Sequence, residues 1–111
     1  MFGRRKKQKA RSSAESALVC AEEKLDRLQD TKANIRECIG RRNPSAALIA
    51  ACNSTYSYTV TSKMAEASVA YNQGNVRKCQ DKLLEASVHA HNEEESIIDR
   101  VKRLRAELAA M

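Results

Sequence analysis

Thiols, imidazoles and clustered carboxylates are the side chains in this sequence that could bind a metal or take part in catalysis. The cysteines are Cys20, Cys38, Cys52 and Cys79. None belongs to a CxxC pair, the spacing that lets two thiolates reach one ion. Cys20 and Cys38 fall on one predicted helix, about 27 Å apart along its axis, which is beyond disulfide reach. We therefore expect small, buried, reduced thiols, with no structural disulfide and no metal site.

The histidines and the acidic cluster offer little more chemistry. His89 and His91 are two residues apart, so on a helix they point about 200° apart and cannot share a metal ion. The acids Glu93, Glu94 and Glu95 are expected to complement the dipole at the start of a helix, which needs no bound cation. The chain contains no P-loop, GxGxxG or HExxH motif. We expect no enzyme activity, no catalytic residue, no cofactor and no small-molecule substrate.

Basic residues are concentrated at the start of the chain. The net charge is +6, and residues 1–11 contain six bases and no acid, so the rest of the chain is neutral with 14 bases and 14 acids. A segment of this composition cannot join a core, and we predict a disordered arm over residues 1–11 that binds an anionic surface, either nucleic-acid phosphate or an acidic membrane. The predicted contact residues are Arg4, Arg5, Lys6, Lys7, Lys9 and Arg11.

Composition predicts the class of fold that would carry this arm. Of the 111 residues, 42% are hydrophobic but only 4% are aromatic, and the chain contains three Gly and one Pro. This small number of turn-forming residues argues against an all-β fold. We therefore expect one all-α domain over residues 12–111. The chain has no apolar run of transmembrane length and no secretory signal, which favours an intracellular, most simply cytoplasmic, protein.

The first predicted helix runs from a capping box at Ser12–Glu15 to Ile39, before a turn at Gly40–Pro44. Apolar residues recur along it at steps of three and four, as in a helix packed against another helix, and Lys32 is the polar break in this seam. A similar stripe lies near the end of the chain. The predicted helix-interface residues are Leu18, Leu25, Leu28, Ile35, Ile39, Val101, Leu104 and Leu108.

The second predicted helix spans Pro44–Gln73, and residues 54–61 leave an alternative open, because they alternate like a β-strand and are rich in strand formers. The third helix starts after Gly74, with Asn75 as its N-cap. Its apolar stripe changes phase near residue 92. We expect one long helix with a bend or stutter at His91–Asn92, where a new helix start is the other option.

Two short segments resemble parts of known helical families. The segment Met1-Phe2-Gly3-Arg4-Arg5-Lys6, ahead of a long amphipathic helix, looks like the start of some ESCRT-III subunits, which are basic helical hairpins that polymerise on anionic membranes. Beyond Ile39 the pattern departs, because the second segment is nearly neutral and rich in Ala and Tyr. A second similarity, to the turn of a tetratricopeptide-type helical pair, lies at Tyr71, Gly74, Asn75, Cys79, Leu83 and Ala86. Neither resemblance assigns a functional residue.

These patterns together predict three long helices that pack as an antiparallel bundle or extended helical hairpin, with a disordered basic N-terminal arm. The function that we expect is a non-catalytic scaffold or assembly subunit. Its helix faces would mediate self-association or contacts with partner helices, and its arm would dock on an anionic surface. Two alternatives are a nucleic-acid-binding protein that uses the arm, and a helical adaptor or chaperone for a partner protein.

Overall fold

The computed structural model describes residues 2–41, 44–45, 48–49 and 57–111, with side chains from residue 9 onward. Three long helices make up most of these residues: α1 (Phe2–Gly40), α2 (Tyr58–Asn72) and α3 (Val76–Ala110). They form a rod with principal extents of 67 × 16 × 16 Å. The prediction of an all-α fold built as a bundle or hairpin is confirmed.

Helix α3 is the central element, because both α1 and α2 pack against it. From about Ala14 to its C-terminus, helix α1 runs antiparallel to α3 and covers almost the whole length of α3. Three hydrogen bonds mark this register. Two join side chains of the two helices, and one joins a side chain of α3 to the carbonyl of the residue that follows α1. They join Arg41 O to Gln80 Nε2 at 3.1 Å, Lys32 Nζ to Glu94 Oε1 at 3.0 Å, and Glu22 Oε1 to Arg105 Nη2 at 3.1 Å.

Helix α2 covers only the N-terminal half of α3. The chain reverses at Gly74, and α2 lies antiparallel to α3 until Ser57, which contacts Glu93. The fully buried core lies in this thicker half, where side chains from α1, α2 and α3 meet Ile49. Its members are Leu28, Ile35, Cys38, Ile49, Val60, Met64, Ala67, Ala70, Cys79, Leu83, Ala86 and Ala90.

The predicted start of the first helix and the predicted disorder of the arm are wrong. Helix α1 begins at Phe2, so residues 2–11 are helical and Ser12 lies inside the helix. Arg, Lys, Gln and Ala all have high helix propensity, and these residues extend a helix that is already held by packing farther along. Glu15 does not close a capping box; its carboxylate pairs with Arg11 at 3.1 Å. At the other end Gly40 is the last helical residue and does not adopt a positive φ.

The second predicted helix is wrong in its start. Leu48 and Ile49 are helical, but α2 begins at Tyr58 after an N-cap at Ser57, whose φ of −75° and ψ of 115° are extended. Serine is a favoured N-cap, and the preceding Ser, Thr and Tyr residues are weak helix formers. The strand alternative is wrong for residues 58–61, which are helical. Residues 54–56 lie outside the described residues.

The third helix agrees with its predicted start. Gly74 has a φ of +74°, and the side chain of Asn75 accepts a hydrogen bond from the amide of Lys78 at 3.1 Å. The helix then continues without interruption through His91 and Asn92, so the predicted option of a new start at Asn92 is wrong.

Candidate functional site

The first turns of α1, which carry the basic residues, extend beyond the end of α3. The register of the two helices places Ala14, which is buried, beside the last turn of α3. Residues 9–13 are all exposed. Residues 2–13 therefore form about 18 Å of helix that has no other described helix to pack against. We call residues 2–11 the basic arm.

The half of the rod beyond Glu93 is only two helices thick. Helix α2 begins at Tyr58, and its N-cap Ser57 contacts Glu93, so from this level to Ala110 the described helices in contact are α1 and α3 alone. Two helices cannot enclose an apolar seam, and most of the seam here is half-buried. The half-buried apolar residues are Leu18, Leu25, Ile97, Ile98, Leu104 and Leu108.

One side of this two-helix half contains a groove of about 300 Å³, which we call the Leu25 groove. Its floor is apolar. Its α1 wall is acidic and its α3 wall is basic, and one ion pair between the walls joins Glu22 to Arg105. The lining residues are Glu22, Leu25, Asp26, Ile98, Val101, Lys102 and Arg105.

The opposite side contains a second groove of about 320 Å³, which we call the Cys20 groove. It lies next to the first turn of α2, and Tyr58 at its edge is 87% exposed. Ala17, Ala21 and Ile97 contribute apolar surface, and Lys24 and Arg100 contribute bases. A helix laid in this groove would continue the direction of α2 along the hairpin.

The three consecutive acids of α3 each contact a different group. Glu93 accepts a hydrogen bond from the Ser57 hydroxyl at 2.5 Å, Glu94 contacts Lys32, and Glu95 lies 3.3 Å from His91 Nε2. The prediction that these acids complement the start of their own helix is wrong, because they lie in the middle of α3. Glu93 does complement a helix N-terminus, but it is the N-terminus of α2.

Lys32 is a buried cation that ties the two long helices together. Its ammonium donates to Glu94 Oε1 at 3.0 Å and lies 3.2 Å from His91 Nδ1. The side chains of Lys32 and Glu94 are 10% and 16% exposed. In this arrangement Nδ1 of His91 accepts, so the imidazole proton belongs on Nε2, which faces Glu95.

A ring of four charged residues joins α2 to α3. Lys63 and Lys82 each lie within 3.6 Å of Glu66 and Glu85. Hydrogen bonds from these lysines lower the pKa of both carboxyls, from Lys82 first for Glu66 and from Lys63 first for Glu85. The same bonds, with that to Glu66 the largest, raise the pKa of Lys82. The ring is partly exposed, which suits a structural contact between helices.

The cysteines divide into two groups. Cys38 and Cys79 are buried in the core, as predicted, and burial raises the pKa of the Cys79 thiol, with Cys38 adding to the rise. Cys20 is exposed on the Cys20 groove, so the prediction that it is buried is wrong. Cys52 lies outside the described residues. Within the described part of the chain, no group of three or more His, Cys, Asp or Glu side chains is arranged to hold a metal ion.

The predicted interface residues fall into two sets. Leu28, Ile35 and Val101 are buried between helices, whereas Leu18, Leu25, Ile39, Leu104 and Leu108 are half-buried. Sequence reasoning missed the charged walls of the Leu25 groove. Their signal was present as Glu22 and Asp26 four residues apart and Lys102 and Arg105 three residues apart, each pair on one helix face.

Two surface-exposed apolar residues were also missed. Leu84 and Val88 are 51% and 59% exposed, and they lie on the same face of α3 as Ile98. None of the described helices combines the length and hydropathy that crossing a bilayer requires. Comparison of the chain with protein-family models, with curated proteins and with solved structures finds no match.

Proposed function

We propose that this protein is a non-catalytic helical assembly subunit. Its open helix face binds protein helices, copies of itself included, and its basic arm binds an anionic surface such as an acidic membrane or nucleic-acid phosphate. The observation that carries this proposal is the projection of the arm. Six bases and no acid lie on a stretch of α1 that extends past α3. An unpartnered helix of this charge gains its most favourable contacts from a surface of opposite charge.

The shape of the rod supports the assembly role. A chain of this length could form a compact bundle, yet the molecule is 67 Å long and two helices thick over nearly half of α3. Contiguous apolar surface on such a hairpin is typical of a protein-contact site. The partly exposed seam from Leu18 to Leu104 is therefore the surface that we assign to helix partners.

An adaptor for a partner helix is the second candidate, and the Cys20 groove supports it. Its apolar floor and the bases Lys24 and Arg100 suit an amphipathic helix with acidic edges. A nucleic-acid-binding protein that reads sequence is less well supported, because outside the arm the chain has equal numbers of bases and acids.

The arm is tested by removing the same number of charges in two places. Lys6→Gln/Lys7→Gln/Lys9→Gln takes three bases from the arm, and Arg27→Gln/Arg77→Gln/Lys78→Gln takes three exposed bases from the body. Binding of each full-length protein is measured against phosphatidylserine vesicles, duplex DNA and single-stranded RNA across a salt series. We expect the arm variant to lose most binding and the body variant to keep it.

The salt dependence adds a quantitative criterion. If all six arm bases reached duplex phosphates, the slope of log affinity against log salt would be about −5. The arm variant should have about half of this slope. Equal weakening by the two variants would contradict the role of the arm. Salt-resistant, sequence-selective binding that survives the arm variant would favour the nucleic-acid alternative. Loss of vesicle binding alone in Phe2→Ala would identify a membrane as the surface.

A further inference from the structure

The Leu25 groove has walls of opposite charge at the same level of the rod. The α1 wall carries Glu22 and Asp26, and the α3 wall carries Lys102 and Arg105. The 3.1 Å contact between Glu22 and Arg105 shows that the two walls are in register. Asp26 and Lys102 are exposed and form no ion pair within the described residues. Half of the groove's charge is thus available to a partner.

The floor between these walls is apolar. Leu25 and Ile98 are half-buried and Val101 is nearly covered. Toward the thicker half of the rod, the same face of α3 carries Val88 and Leu84, both more than half exposed. Leu84 and Val88 are four residues apart, and Ile98 and Val101 are three residues apart, which is the spacing of a helix that packs on another helix. The exposed polar residues His91 and Glu95 lie between the two pairs.

We propose that a second copy of this chain packs on the Leu25 groove, related by a two-fold axis parallel to the long axis of the rod. This operation places α1 of one copy against α3 of the other at the same level. Glu22 and Asp26 then lie opposite the second copy's Lys102 and Arg105, and the reverse holds across the axis. The inference rests on the proposed assembly function and names its partner and its surface.

Helix direction and charge both favour this axis. With α1 and α3 antiparallel in each copy, the rotation gives four helices in which every neighbour is antiparallel, as in common four-helix bundles. An axis perpendicular to the rod, overlaying the same two-helix halves, would place α1 against α1. Glu22 and Asp26 would then face acids, and Lys102 and Arg105 would face bases, which is unfavourable for both pairs.

The parallel arrangement has a functional consequence for the arm. Both copies of α1 begin at the same end of the dimer, so two basic arms project side by side. A surface that binds one arm holds the second at high effective concentration, and the dimer gains avidity without any new contact. The antiparallel arrangement would place the arms at opposite ends and lose this advantage.

The groove charges are tested by reversal in the full-length protein. Glu22→Lys/Asp26→Lys and Lys102→Glu/Arg105→Glu should each raise the dimer dissociation constant by about tenfold or more, because like charges then face each other. An equimolar mixture of the two variants should dimerise again. Glu23→Lys is a control with one reversed charge, since this exposed acid lies on α1 outside the groove. Masses are read by sedimentation equilibrium, and circular dichroism verifies the fold of each variant.

The orientation is tested by a distance. A spin label at Arg77→Cys, in a Cys20→Ser/Cys52→Ser background, reports on the end of α3 that is farthest from the arm. The diagonal of a four-helix bundle with interhelical spacings of about 10 Å places parallel labels within about 30 Å. The antiparallel overlay separates them by more than about 60 Å along the helices.

Several outcomes would overturn the inference. A wild-type monomer at tens of micromolar, charge reversals no more damaging than Glu23→Lys, or a label distance beyond about 60 Å would each contradict it. The proposed arm function is measured separately. A full-length variant with all six arm bases changed to Gln should lose anionic-surface binding and keep the dimer. Loss of binding with the dimer intact, and loss of the dimer with arm binding intact, therefore separate the two proposals.

Discussion

At the scale of single residues, the least expected feature is a lysine in the seam between α1 and α3. Lys32 occupies a position that the spacing assigns to an apolar side chain, and its ammonium is held by Glu94 and His91. A charge this far from water is tolerated only when it is paired and hydrogen-bonded. The contact also defines the register, since a shift of one turn in either helix would leave Lys32 without these partners.

Removal of one partner of this pair should destabilise the fold more than removal of both. We expect Glu94→Ala to lower the free energy of unfolding by about 2 kcal/mol, because Lys32 is left unpaired. Lys32→Met/Glu94→Leu should recover most of this loss. Glu95→Ala, an exposed neighbour, should change stability by less than about 0.5 kcal/mol. Urea unfolding followed by circular dichroism measures all three, and equal effects of Glu94→Ala and Glu95→Ala would contradict the prediction.

At the scale of helices, α2 is held to α3 by a capped N-terminus, a glycine turn and the four-residue ion ring. Ser57 Oγ accepts a hydrogen bond from Val60 N at 3.3 Å and donates to Glu93, so the start of α2 is tied directly to α3. At its other end Gly74 adopts a φ of +74°, which an L side chain rarely adopts. The length of α2 is therefore set by a local glycine turn at its C-terminus and by a cap that also contacts α3 at its N-terminus.

The two glycines near helix ends should respond to alanine in opposite directions. A Cβ at Gly74 or Gly40 would meet nothing within 4 Å, so neither change causes a clash. Gly74→Ala should destabilise by about 1 kcal/mol, because of its positive φ. Gly40→Ala should stabilise by about 0.5 kcal/mol, because alanine is the better helix former and limits the unfolded chain. Thermal unfolding of both variants measures these effects. A change of the melting temperature in the same direction for both variants would contradict the backbone argument.

The ring of Lys63, Glu66, Lys82 and Glu85 should make the packing of α2 on α3 depend on pH. The pKa of Glu66 and of Glu85 lies below the ordinary value of 4.5 in the folded state. Their contribution is therefore present above about pH 4.5 and is lost as the pH falls through the lowered values. The pKa of Lys82 is raised above 10.5, so the stability that Lys82 contributes is lost only at alkaline pH, as the pH rises beyond 10.5. Glu66→Gln/Glu85→Gln should flatten stability measured from pH 2 to 6, and an unchanged acid slope would exclude the ring as its source.

At the scale of the whole molecule, the rod has two halves that differ in thickness and in burial. In the half nearest the turns, α2 and Ile49 cover the α1–α3 hairpin and contribute to the fully buried core. In the other half no third helix of the described residues covers the hairpin, and the partly exposed apolar seam, the Leu25 groove and the basic arm all lie toward the same end. The buried core and the partly exposed seam thus lie in different parts of a rod that is 67 Å long. The proposed parallel dimer would cover the two-helix half and leave the arms free.

Local sequence determined the features that depend on neighbouring residues. Asn75 caps α3 and Gly74 turns the chain because each acts on amides or dihedrals a few residues away. The spacing of Leu28 and Ile35 predicted their burial, since helical periodicity needs no knowledge of the partner. The all-α class and the neutral body followed from composition.

Tertiary structure alone decided where α2 begins and which side chains remain open. Ser57 is one of several hydroxyl residues between residues 54 and 61 that could cap a helix, and its role also depends on Glu93, 36 residues farther along. The burial of Lys32 depends on residues 59 and 62 positions away. Leu25 and Ile98 stay half-buried because α2 begins at Tyr58 and no other described helix covers this part of the α1–α3 hairpin. Periodicity identifies the face that a helix buries. It does not tell how many other helices pack on that face, because their number depends on contacts between distant parts of the chain.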